Sequence, residues 1–124
     1  MRFMMMVKTP ESAGPPTPEL QAAVGRLMGE MAQAGVLLDA AGLLPSARGA
    51  LLKLSGAKVT ATDGPFVETK EVIGGFAILR ADSREAAIEL GRRFLQVHAD
   101  AAGPSFDASL EIREMSEPAA GRAG

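Results

Sequence analysis

The feature that most constrains this chain is the way two hydrophobic periods alternate along it. Leu20, Val24, Leu27, Met28 and Met31 recur every three or four residues, as do Ala87, Leu90, Phe94 and Leu95. That spacing puts each set on one stripe of a helix. Runs of period two, or continuously apolar runs, stand on either side of each stripe: residues 2–8, 36–41, 72–79 and 110–115. Period two is the signature of a strand. A chain that switches twice between the periods folds as α+β, not as a bundle or a sandwich.

Local signals sharpen the boundaries. Thr17 can cap the first helix, Pro18 suits its first position, Glu19 favours the positive end of its dipole, and Gly35 ends it. Ser83 caps the second helix, expected over 83–97. Between the second and third main strands, residues 50–54 and 58–62 are β-prone and flank Ser55-Gly56, which predicts a hairpin. Gly74-Gly75 interrupts the strongest central strand and predicts a bulge or a close backbone approach. The order is therefore a ferredoxin-like βαββαβ unit with an inserted β-hairpin. Its two helices can cover only one face of the sheet, yet the first strand is apolar on both, with Phe3, Met5 and Val7 against Met4 and Met6. The open face needs a cover, and a second copy of the chain supplies one.

The 124 residues suffice for one domain, expected over 1–115 with a C-terminal tail at 116–124. With no cysteine and a single histidine, the chain has no disulfide, no thiolate nucleophile and no multi-histidine metal site of its own. No cofactor and no metal are expected. The net charge of −2 is spread in both signs, with no basic stripe to meet nucleic acid. The apolar N-terminus is too short for a signal peptide or a membrane span, so a cytoplasmic homodimer with no membrane contact is expected.

Candidate site residues concentrate in Asp63-Gly64-Pro65-Phe66 and the following Glu68, Lys70 and Glu71. Two readings stand. Asp63, Phe66, Lys70 and Glu71 can line a pocket in which a carboxylate acts as a base or holds a polar ligand. Alternatively, Asp63, Gly64 and Pro65 shape a turn while Lys70 and Glu71 pair on the surface. Asp39, inside an apolar strand, faces either a cleft or the exposed strand end. His98 has a structural reason to sit at a helix C-terminus and lacks an evident nucleophile or metal partner. Arg92-Arg93 reads as a solvated helix face.

Asp63-Gly64-Pro65-Phe66, Glu68-Thr69-Lys70-Glu71 and Gly74-Gly75-Phe76 resemble the signature of the DGPF subgroup of YCII-related proteins. The opening Phe3-Met4-Met5-Met6-Val7, the segment from Gly35 to Ser46, and Leu110-Glu111-Ile112-Arg113 fit the same pattern. The resemblance implies a dimeric α+β barrel and a regulatory setting beside extracytoplasmic-function sigma factors. Some YCII relatives are suspected enzymes with a His–Asp pair. No histidine lies near the second strand here, so that pair does not carry over. Three functions compete: a dimeric module that binds a small-molecule ligand or a partner; a cofactor-free enzyme using Asp63, Lys70 and Glu71, with Asp39, for acid–base chemistry on a small organic substrate; and a purely architectural role for the motif.

Overall fold

The computed structural model describes residues 1–66 and 71–117. Lys70 and the C-terminal end of the expected tail lie outside the described residues. The described part is α+β, with two helices and antiparallel sheets, an arrangement compatible with a ferredoxin-like fold. Strands β1 (Arg2–Thr9), β2 (Leu37–Gly42), β5 (Val72–Arg80) and β6 (Ser109–Glu114) form one sheet in the order β2-β5-β1-β6. Strands β3 (Ala50–Ser55) and β4 (Lys58–Asp63) pair only with each other. Helices α1 (Pro18–Gln33) and α2 (Arg84–Ala102) carry the chain between strands of the main sheet.

Alternation along the strands decides which side chains meet the helices. Phe3, Met5 and Val7 of β1 and Ala77 and Leu79 of β5 are buried beneath them. Leu27 and Met31 of α1 and Phe94 of α2 close the core from above. Complete burial of a side chain the size of Met5, Met31 or Leu79 contributes about 1.5–3 kcal/mol. The start of α1 is held as the sequence predicts: the Leu20 amide donates to Thr17 Oγ1 at 3.2 Å. Gly35, at φ 77°, takes the left-handed conformation that ends the helix.

The other face of the sheet is open. Register places Asp39, Ile78, Met4 and Arg113 side by side in one row across it, and Ala41, Phe76, Met6 and Glu111 in the next. Met4, Met6, Phe76 and Ile78 are half-buried, not buried. Lys8 Nζ donates to Glu111 at 2.6 Å on this face.

Both predicted effects of the glycine pair occur. The β1–β5 register slips between Val7 and Lys8, leaving Gly74 as the extra residue of a bulge. A Cβ on Gly75 would stand 3.1 Å from the Ala41 carbonyl oxygen, so the strands approach closely there.

Three local expectations need correction. The hairpin turns at Gly56 and Ala57, with φ of 57° and 64°, one residue later than the Ser55-Gly56 turn expected. Positive φ at both central residues gives the twist that two-residue hairpins need. Helix α2 runs to Ala102, because the alanine-rich segment 99–102 favours helix until Gly103 stops it at φ 88°. His98 is consequently inside the helix. It is buried against Phe94 and Phe106, with ring centroids 4.6 and 5.6 Å away, and its Nδ1 lies 2.8 Å from the Phe94 carbonyl oxygen. It fills a gap under the loop after α2 and is neither an exposed cap nor surface decoration.

Candidate functional site

The signature segment is built around Ser46, which belongs to a short 3-10 turn over Ser46–Arg48 and is buried. Its amide and its hydroxyl both donate to the Glu11 carboxylate, each at 2.6 Å. Its hydroxyl oxygen accepts the Phe66 amide at 3.0 Å. The Gly64 amide donates to the Gly49 carbonyl at 3.0 Å. Three segments distant in sequence therefore meet: the end of β1, the loop after β2, and the root of the hairpin.

Gly64 explains why the motif takes this form. A Cβ there would fall 1.7 Å from the Ser46 carbonyl oxygen and 2.5 Å from its carbon, so no residue with a side chain fits. The Gly64–Pro65 peptide is cis. The Phe66 ring rests against Gly49, where a Cβ would lie 3.7 Å from the ring edge.

The described candidate residues do not converge on one pocket. Asp63 ends β4 opposite Ala50, and its side chain is exposed. Phe66 is half-buried at the hairpin root. Glu71 is exposed and accepts from Ser109 Oγ at 3.4 Å. These three gather at the end of the sheet where β1 finishes and β5 begins. Asp39 stands apart on the open face, its Oδ1 accepting the Ala40 amide at 2.9 Å. Two hollows among the described residues lie on the helix side, and none of Asp39, Asp63, Phe66 and Glu71 lines them. One, about 370 Å³, is bordered by Ile88, Leu95, Leu110 and Ile112 between α2 and β6. The other, about 520 Å³, runs between α1 and α2.

Two carboxylates, Glu11 and Glu111, are held ionised by hydrogen bonds. The Ser46 hydroxyl, and then the Ser46 amide, stabilise ionised Glu11 and hold its pKa below the usual value of 4.5. The hydrogen bond from Lys8, then its charge, does the same for Glu111, with Arg113 adding to it. A general acid–base group working near neutrality needs the opposite displacement. Among the described residues, no group of three or more His, Asp or Glu side chains could hold a metal ion.

Glu11 and Ser46 are the residues that sequence reasoning missed. Both fall in loops rich in Pro, Gly and Ser, and they are 35 positions apart. No local pattern announces such a pair; only the closure of the sheet brings it together.

A curated relative, an uncharacterized protein of Rhizobium meliloti (strain 1021), is 37% identical over 84 residues, covering 68% of this chain and 63% of the relative. The chain thus spans somewhat less than two thirds of that relative's length. The family model for the YCII-related domain matches residues 1–103, from β1 to the glycine that ends α2. That stretch holds Glu11, Ser46, Gly64 and Phe66, and on it the chain belongs to the YCII-related family.

Proposed function

We propose that this chain works as a homodimeric small-ligand-binding module of the DGPF subgroup, two ferredoxin-like units forming a dimeric α+β barrel. The observation that carries this reading is the open sheet face. Met4, Met6, Phe76 and Ile78 form its centre, half-buried, with charged residues at its borders. Monomeric proteins rarely leave such a face to water. Its charges are also self-complementary. Asp39 and Arg113 end the same row on opposite edge strands. A two-fold axis along the strands stacks two faces and sets Asp39 opposite Arg113 of the partner subunit, an isologous arrangement.

The ligand space of this reading is the gap between the two faces. Methionine, phenylalanine and isoleucine side chains would wall it, with Asp39 as a polar anchor. This chemistry suits a small, mainly apolar molecule carrying a hydrogen-bond donor or a positive charge. Asp63, Phe66 and Glu71 would serve at the mouth, at the end of the sheet. The resemblance to the DGPF subgroup adds a regulatory role beside a sigma factor. A cofactor-free enzyme needs a carboxylate held in apolar surroundings, whereas Asp39, Asp63 and Glu71 are all exposed in the single chain.

The test is the mass of the protein in solution with and without a charge on the open face. Sedimentation should show a dimer for the natural chain and a folded monomer for Met6→Glu. A thermal-shift screen of small organic cations and amines should then raise the melting temperature of the natural chain, and do so less for Asp39→Asn. A natural chain that sediments as a monomer at every concentration overturns the reading.

A further inference from the structure

We infer that the β3–β4 hairpin is an arm that packs against a second copy of this chain. The inference rests on the dimer proposed above and assigns the hairpin's part in it. Cross-strand register puts Ala50, Leu52, Leu54, Val59, Ala61 and Asp63 on one side of the hairpin. The other side carries Leu51, Lys53, Ser55, Lys58, Thr60 and Thr62. Asp63 aside, the first side is apolar and, Leu51 aside, the second is polar, which is what a strand pair shows when one side rests on a core and the other meets water. Yet every residue of both strands is exposed. Leu52 is 63% exposed, Leu54 74% and Val59 61%. Of the nine large apolar side chains exposed among the described residues, six lie in the segment 43–59. An isolated two-stranded hairpin is marginal in water and needs a packing partner.

The root of the arm is fixed although its length is bare. The Gly64–Gly49 and Phe66–Ser46 hydrogen bonds and the Glu11–Ser46 pair anchor it to the main sheet. That anchorage aims an apolar surface away from its own chain. It is what a docking arm requires and what a loosely tethered loop lacks.

Area identifies the occupant as a second copy. The open face is four strands wide. With strands about 4.8 Å apart and about six residues of 3.3 Å each, it offers about 400 Å². A stable interface takes about 800 Å² from each partner. One side of the hairpin, two strands of six residues, adds about 200 Å² by the same spacing. In a two-fold dimer each copy gives one arm and receives another, so the addition counts twice and meets the requirement. The surface that would receive an arm is the exposed apolar strip at β2, Leu38, Leu43 and Leu44.

The experiment measures dimer dissociation by sedimentation velocity for the natural chain, the arm variant Leu52→Asp/Leu54→Asp and the control Thr60→Asp on the arm's polar side. Far-UV circular dichroism checks each fold. Leu52 and Leu54 are exposed and lie in the hairpin, outside the buried core, so native helix content is expected; Leu52→Ser/Leu54→Ser replaces the arm variant if the aspartates unfold it. The expected result is a dimer for the natural chain and the control, and dissociation at least about 100-fold easier for the arm variant. A natural-chain dimer with an arm variant that dissociates within about threefold of it overturns the arm and leaves the dimer standing. A natural chain that is monomeric overturns both.

Discussion

Replacing Gly64 by alanine tests the claim that the signature motif is a structural clamp. The new Cβ would sit 1.7 Å from the Ser46 carbonyl oxygen, where real contacts stay beyond 3.0 Å. The obstacle is backbone on both sides, so no rotamer change relieves it. The hairpin root and the Ser46 turn must part by more than an ångström. That movement breaks the Phe66–Ser46 and Gly64–Gly49 hydrogen bonds, both 3.0 Å long. Two such bonds contribute about 1 kcal/mol each, and forced overpacking costs about 1–3 kcal/mol, so a loss of about 3–5 kcal/mol is expected. The chain has no tryptophan or tyrosine, so urea unfolding is best followed by far-UV circular dichroism. With a slope of about 1.5 kcal/mol/M, the midpoint should fall by about 2–3.3 M. The glycines of α1 provide the contrast. A Cβ on Gly25 or Gly29 meets nothing within 4 Å, and alanine there should stabilise by about 0.5–1 kcal/mol. If Gly64→Ala unfolds within about 0.5 kcal/mol of the natural chain, the clamp does not exist as described.

Ser46→Ala should cost about 2–3 kcal/mol, because it strips a hydrogen bond from the Glu11 carboxylate and leaves the Phe66 amide without its acceptor; loss of under 0.5 kcal/mol in urea unfolding would count against the network. Acid should weaken the fold in a defined window. Glu11 and Glu111 have pKa values below 4.5 when folded, so the unfolded chain binds more protons. Their contribution is fully present above about pH 5 and is lost as pH falls through the folded values. Melting curves from pH 6 to 3 should show this, and Glu11→Gln should make the curve flatter over the same range. At the hairpin tip, Ala57 holds φ 64°, a region asparagine tolerates better. Ala57→Asn should therefore gain about 0.5 kcal/mol, and a measured loss would contradict the turn assignment.

How far the sequence could be read depends on whether each feature is written locally. Periodicity marked both helices and the four strands of the main sheet within a few residues, because their stripes face one core. Thr17 and Ser83 marked the helix starts, since a cap needs only the three residues that follow it. The end of α2 was hidden. His98 looks like a terminal cation in sequence, but its ring packs against Phe94 and Phe106, and the alanine-rich segment beyond it carries the helix onward to Gly103. The candidate site was legible only in part. Asp63, Gly64, Pro65 and Phe66 drew attention as a cluster of unusual residues, but the group that explains them, Glu11 with Ser46, lies in two loops far away along the chain. The clamp depends on tertiary closure, and one-dimensional spacing does not encode it.

The division of labour inside the motif bears on where function can lie. Gly64 and Phe66 are committed to holding the hairpin, by a backbone contact that admits no side chain and by the hydrogen bond to Ser46. Asp63 and Glu71 flank them and remain exposed. A residue free of structural duty is available for chemistry, but an exposed carboxylate facing bulk water gains little selectivity or reactivity. Burial by another surface would change that. A second copy laid on the open face would enclose Asp39, and an arm reaching across it would narrow the gap at its edge. If the proposed dimer forms, the single chain would hold the parts of a site without its walls, and the Glu11–Ser46 clamp would matter to function by aiming the arm that supplies them. Asp39→Asn should therefore leave the stability of a monomeric Met6→Glu chain within about 0.5 kcal/mol, while changing ligand binding only in the dimer. A ligand effect of equal size in both backgrounds would place the site within one chain and remove the need for the second.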